Sequence, residues 1–151
     1  MAGFNFDRVI RNFEQLKRTV PVKVANLSVN YFTDTFKKGG FDGKAWQEVQ
    51  RRLPGTKPYK YPLKKDLGRR SRAILIGKGS GRLRRAVNTS LRQATWEGVK
   101  LVVDGGLFPY AKRHNDGLKG MPQRTFMAES KELNEKTKEL IIKEVDKIWR
   151  A

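Results

Sequence analysis

The chain has 151 residues, no cysteine and a net charge of +18, from 33 Lys and Arg against 15 Asp and Glu. That length accommodates one domain with a real core, and the missing thiols exclude disulfides, cysteine nucleophiles and cysteine-based zinc sites. There is no apolar run of about 18 residues to cross a membrane, and the opening MAGFNFDRVIRNFEQL, with its acids, is not expected to be a secretory leader.

Phe6, Val9, Ile10, Phe13, Leu16 and Val20 recur at helical spacing and predict an amphipathic helix over about 5–20. Pro21 suits the first turn of a second helix. Val24, Leu27, Tyr31, Phe32 and Phe36 then carry the apolar stripe to Gly39-Gly40, which stops it. Two helices meeting at Pro21 and one helix kinked there both fit this pattern. The stripe faces either the core or a neighbouring subunit.

Residues 54–72, PGTKPYKYPLKKDLGRRSR, hold three prolines, two glycines and seven basic residues. Little there can be buried, so a long basic loop or arm is expected. Tyr59 and Tyr61 either stack on bases or anchor the loop to its own domain. From Arg51 to Arg92 there are fourteen basic residues and one acid, Asp66, a local net of +13. Such a surface attracts polyanions, whether phosphate backbones or acidic protein faces.

The run AILIGKGSGRLRRAV, residues 73–87, resembles a nucleotide loop but fails at positions with a physical job. Gly79 follows Lys78 where a Walker loop places its metal-binding hydroxyl, and Arg82 stands where the dinucleotide fingerprint needs its third glycine. It is expected to be a glycine turn ending a strand at 74–77. Val87, Thr89 and Leu91 alternate, and VKLVV at 99–103 is β-branched, so a hairpin turning at Trp96-Glu97-Gly98 and ending before Asp104-Gly105-Gly106 is predicted. Leu133, Leu140, Ile141, Val145, Ile148 and Trp149 mark a helix over about 127–149, with Glu132–Lys136 and Glu139–Lys143 paired on its wet side.

The expected fold class is therefore α+β: N-terminal helices, a small antiparallel sheet with a β-hairpin, a long C-terminal helix and one extended basic loop. It forms one domain over 1–151, divided into a helical segment 1–40, the basic loop 54–72, and the sheet with its final helix over 73–151. His114 is the sole histidine. His-Asn-Asp-Gly matches no metal-ligand spacing, and no nucleophile elbow is present. No catalytic residue, cofactor or metal is expected.

Four segments, in order, resemble the virion morphogenesis (tail completion) family of tailed bacteriophages, best known from Mu-like phages. FTDTFKKGGFDGKAWQEV supplies Phe36, Asp42, Gly43 and Trp46, and ILIGKGSGRLRRAV supplies the apolar strand, glycine and leucine. YAKRHNDG supplies Tyr110, Ala111, His114 and Gly117; MPQRTFMAES supplies Pro122, Arg124, Phe126 and Ser130. Together they cover roughly residues 30–149. The chain departs from the pattern in Asn115, where Gln is usual, in its longer glycine turn, and in its richer basic loop.

The resemblance implies a structural virion protein of the head–tail junction, assembled in the host cytoplasm: a tail completion, tail terminator or neck ring that joins tail to head without catalysis. It implies a homo-oligomeric ring, six copies matching tail symmetry, docked to head connector or adaptor and tail tube proteins, with DNA passing through the lumen and no membrane. Lys60, Lys64, Lys65, Arg69, Arg70, Arg72, Arg82, Arg84 and Arg85 are the candidate docking residues, pairing with acidic partner faces. The motif residues are expected to be structural, Tyr110 and Pro122 by packing, His114 and Arg124 by meeting buried carbonyls or a subunit contact. The rival reading is a basic nucleic-acid-binding protein using the same segment.

Overall fold

The computed structural model describes residues 5–64, 68, 72–76 and 81–150. Helix α1 (Phe6–Lys38) is a single 33-residue element that runs through Pro21. The sequence left open whether two helices meet there; one helix forms. Asn5 opens it, its side chain accepting from Arg8 N, and Gly39 in the left-handed conformation closes it, its N–H returning to Thr35 O.

A two-strand ribbon follows, β1 (Gly40–Phe41) against β2 (Lys44–Ala45). Its turn is Asp42-Gly43, with φ of 49° and 78°. Two consecutive positive φ values give the tight turn whose twist matches antiparallel strands. A Cβ on Gly40 would lie 2.5 Å from Lys44 O, so the ribbon closes only on a glycine there.

A 3-10 turn at Gln50–Arg52 precedes the expected basic loop, and one helical turn, α2 (Lys57–Lys60), lies within it. Thr56 ties the two, its hydroxyl donating to Gln50 O and Leu53 O.

Two expectations fail in the next stretch. Residues 74–76 form no strand: Leu75 has φ 64°, and Ile76 N donates back to Ala73 O in a turn. Ile74 instead plugs the core at 6% exposure. Gly77 to Ser80 lie outside the described residues. The Val87–Leu91 alternation also misleads, because Val87 ends α3 (Arg82–Asn88). Leu83, Ala86 and Val87 are three and four residues apart and bury one helical face.

The predicted hairpin forms with β3 (Leu91–Thr95) antiparallel to β4 (Gly98–Val102), Thr95 opposite Gly98. After it, Asp104 accepts from Gly106 N and Leu107 N, turning the chain into α4 (Pro109–Asp116), a helix not predicted from the sequence. Pro109 at its start and left-handed Gly117 at its end bound it.

The last helix, α5 (Lys131–Arg150), begins four residues later than predicted because Ser130 caps it, accepting from Leu133 N at 3.1 Å. Glu132–Lys136 closes at 2.6 Å; Glu139 and Lys143 form no ion pair among the described residues. The α+β class holds, with two separate two-stranded sheets.

The core gathers Tyr31, Phe32 and Phe36 of α1 with Trp46, Ile74, Leu83, Val87, Ala111, Phe126 and Leu133. Phe36 and Val87 are wholly buried.

Candidate functional site

The motif segments, scattered over a hundred residues of sequence, converge on the second half of α1. Trp46 leaves β2 and buries its indole edge-on to Phe36 at 5.8 Å. Its Nε1–H donates to Thr125 O at 2.7 Å. Phe126 packs on the other part of Phe36 at 5.3 Å. Two residues that follow turns are thus tied to one helix residue.

Arg124 ties the 123–127 segment to two others. Its Nε donates to Gln47 O at 3.1 Å, and its backbone N–H donates to His114 O at 2.7 Å. The side chain is 6% exposed, and burial lowers its pKa from the ordinary value. A largely buried guanidinium donating to a carbonyl holds backbone in place.

Asn115 does the complementary job. Its Oδ1 accepts from both Phe126 N and Met127 N at 3.0 Å, and its carbonyl accepts from Thr125 Oγ1 and Gln123 Nε2. Asn115 therefore organises the 123–127 strap. Gly117 lets that strap pass: its φ is 69°, and a Cβ would sit 2.9–3.1 Å from Gln123. Tyr110 lies edge-on to His114 at 6.4 Å, Ala111 is in the core, and Pro122 is half-buried.

His114 is half-buried beside Arg124. Burial first, and the Arg124 charge second, lower its pKa below 6.5, and its Nδ1 is buried without a hydrogen-bond partner. An imidazole so placed stays neutral at pH 7.

The second half of the constellation is a polar ladder at the start of α5. Ser130 Oγ stands 2.8 Å from Asp42 Oδ1 and 2.9 Å from Tyr31 Oη, while Tyr31 Oη stands 3.2 Å from Glu132 Oε2. Ser130 has one hydroxyl hydrogen, and an ionised carboxylate can only accept. Ser130 therefore donates to Asp42, and the phenol of Tyr31 turns to Ser130 or Glu132.

The Ser130 bond, then the Glu132 N–H, hold the Asp42 carboxyl below its ordinary 3.8. Burial, with the Glu132 charge added, raises the Tyr31 phenol. Lys136 lowers Glu132. At 2% exposure Ser130 is closed to a substrate, so the ladder locks the β1–β2 turn, α1 and α5 together.

The candidate docking residues lie elsewhere. Arg82, Arg84 and Arg85 share α3; Arg82 and Arg85 are exposed, Arg84 half-buried, and the Arg82 guanidinium lies 5.9 Å from the Phe108 ring centre. Lys60 is exposed on α2, and Lys64 is exposed beyond it. Arg72 is half-buried, its carbonyl accepting from Arg51 Nη2 at 3.3 Å. Lys65, Arg69 and Arg70 lie outside the described residues. Tyr59 is half-buried and Tyr61 is 74% exposed.

Thr125 was not singled out from the sequence; Tyr31 was read there only as part of the apolar stripe, Glu132 only as the partner of Lys136, and Asn115 only as a departure from the resemblance. Ser130 stands three residues before Leu133, a cap spacing that was legible; Asn115 carried no local signal. Among the described residues no cluster of three His, Asp or Glu could hold a metal, and no helix is long and apolar enough to cross a membrane.

No protein-family model matches the chain, and no curated protein or solved structure matches it.

Proposed function

We propose that the protein is a structural component of a tailed-phage virion, acting at the head–tail junction as a tail completion, terminator or neck ring. The supporting observation is that the motif residues Trp46 and Phe126 pack on Phe36 of α1, Ser130 bonds Asp42 and Tyr31, and Arg124 joins Gln47 to His114 beside them, so the quoted motifs hold one another in place. The shared motifs thus act as the frame of a subunit rather than as reacting groups.

The basic side chains of α2 and α3 stand outside that frame. They supply a docking surface for acidic faces of a connector, adaptor or tube protein, where charge speeds encounter and selects the partner. The ring is homo-oligomeric, with six copies to match the tail.

Electron microscopy of lysates from a phage with this gene silenced tests the reading. DNA-filled heads beside unattached or overlong tails are expected. Normal infectious particles would remove it. In that case the rival reading, nucleic-acid binding through the same basic residues, predicts duplex affinity that falls steeply with salt.

A further inference from the structure

One face of α1 is used in two different ways along its length. Ile10, Phe13, Lys17, Val20, Val24 and Ser28 follow one another at three- and four-residue spacing, so they share a face. From Val20 to Phe32 this face is the floor of a trough of about 720 Å³. Trp96, Val99 and Leu101 of the hairpin form one side, and Leu133, Thr137 and Ile141 of α5 the other.

Nearer the N-terminus the same face is a ridge. Ile10 is 59% and Phe13 42% exposed. Phe13 meets Trp96 edge-on at 6.1 Å, and Trp96 lines the trough, so ridge and trough are continuous. A contiguous apolar surface of this kind marks a contact site.

Ridge and trough floor belong to one helix, so a copy cannot lay its own ridge in its own trough. Two copies can do so reciprocally. With the two α1 helices antiparallel about a two-fold axis near residue 19, Ile10 of one copy falls opposite Ser28 of the other, and Phe13 opposite Val24. Each pair is formed twice, as a self-complementary two-fold interface requires. The crossing point carries Lys17, whose ammonium already has an anion, Glu14 at 3.8 Å.

We propose that the protein pairs with a second copy of itself through this face. Ile10, Phe13 and Trp96 are 59%, 42% and 46% exposed, and covering them and the trough on both copies buries on the order of 800–1,000 Å². That is the size of a weak, reversible contact, so pairing depends on concentration. The inference does not rest on the virion reading, whose partner-docking surface is α2 and α3 and whose assay is head–tail joining.

Sedimentation and light scattering of the purified chain between roughly 1 and 200 µM test it. The mass is expected to rise from the 17.4 kDa of one copy toward twice that value. Ile10→Asp, at an exposed position, should hold it at one copy throughout with an unchanged melting temperature. Thr137→Phe, which fills the trough and leaves the ridge intact, should do the same.

Because the chain has no cysteine, Ile10→Cys mixed with Ser28→Cys should give a crosslinked pair on oxidation that neither variant gives alone. A wild-type chain that stays single at every concentration would overturn the proposal. So would a dimer that survives Ile10→Asp, or an Ile10→Cys with Ser28→Cys mixture that gives no crosslinked pair.

Discussion

Replacing Ser130 by alanine removes two functions at once. The hydroxyl caps α5 through Leu133 N, and it joins Asp42 to Tyr31. Loss of an N-cap costs about 1 kcal/mol. Loss of the bonds of a hydroxyl buried to 2% exposure costs about 1 kcal/mol more. A loss of about 2 kcal/mol lowers the melting temperature of a domain this size by about 4–8 °C.

The assay is thermal unfolding followed by circular dichroism at pH 7. Ser130→Asp separates the two functions, since Asp is as good a cap as Ser but puts a second carboxylate against Asp42. The ladder predicts that Ser130→Asp is less stable than Ser130→Ala; a cap alone predicts that it matches the native chain. The pH dependence follows. Asp42 is depressed in the fold, so its stabilisation is present above about pH 3.8 and lost as pH falls through the lower folded value. The gap between native and Ser130→Ala should therefore narrow in acid. A Ser130→Ala protein melting within about 1 °C of the native one would refute the reasoning, since the bonds would then contribute nothing measurable.

Trp46→Phe keeps a ring against Phe36 but orphans Thr125 O and leaves a void; denaturant titration should show a loss of about 2 kcal/mol at this 8%-exposed position. His114 is depressed in the fold, so the unfolded chain binds the proton first. Stability should fall as pH drops below about 6.5 until the folded value is passed, and His114→Gln should flatten that part of the melting curve. Reversing Arg82 and Arg85 to Glu, both exposed on α3, should leave melting within about 2 °C while abolishing head–tail joining in complementation. Retained joining at normal yield would exclude α3 as the docking surface. The analogous reversal of Arg69, Arg70 and Arg72 tests the neighbouring segment in the same way.

What the sequence displayed well was periodic or chemically marked. The long apolar stripe of α1, the hairpin with its Trp96-Glu97-Gly98 turn, and the final helix were all legible because their burial repeats at the period of their backbone. The failures came where an apolar run is too short to carry a period. Residues 74–76 are as apolar as a strand, yet they have no strand to pair with and serve as a core plug. Val87 and Leu91 sit on either side of a helix end, so their alternation with Thr89 spans two elements.

The site was legible by residue but not by connection. Trp46, Arg124 and Ser130 stood out from the resemblance, whereas their partners are the carbonyls of Thr125 and Gln47 and the hydroxyl of Tyr31. Backbone carbonyls are the same in every sequence, so no residue pattern announces which one an arginine will find. Asn115 is the sharper lesson, because its side chain takes two amides that only the tertiary fold brings to it.

The ladder also fixes an order of events during synthesis. Tyr31 and Asp42 leave the ribosome early, but Ser130 follows them by 99 and 88 residues. Trp46 likewise waits 79 residues for Thr125. Until then α1 presents an apolar face with no lid, at a stage when neighbouring nascent chains offer the same face. These ties therefore form only once the segment around 125–133 is available, and in the meantime the apolar face of α1 stands open to aggregation.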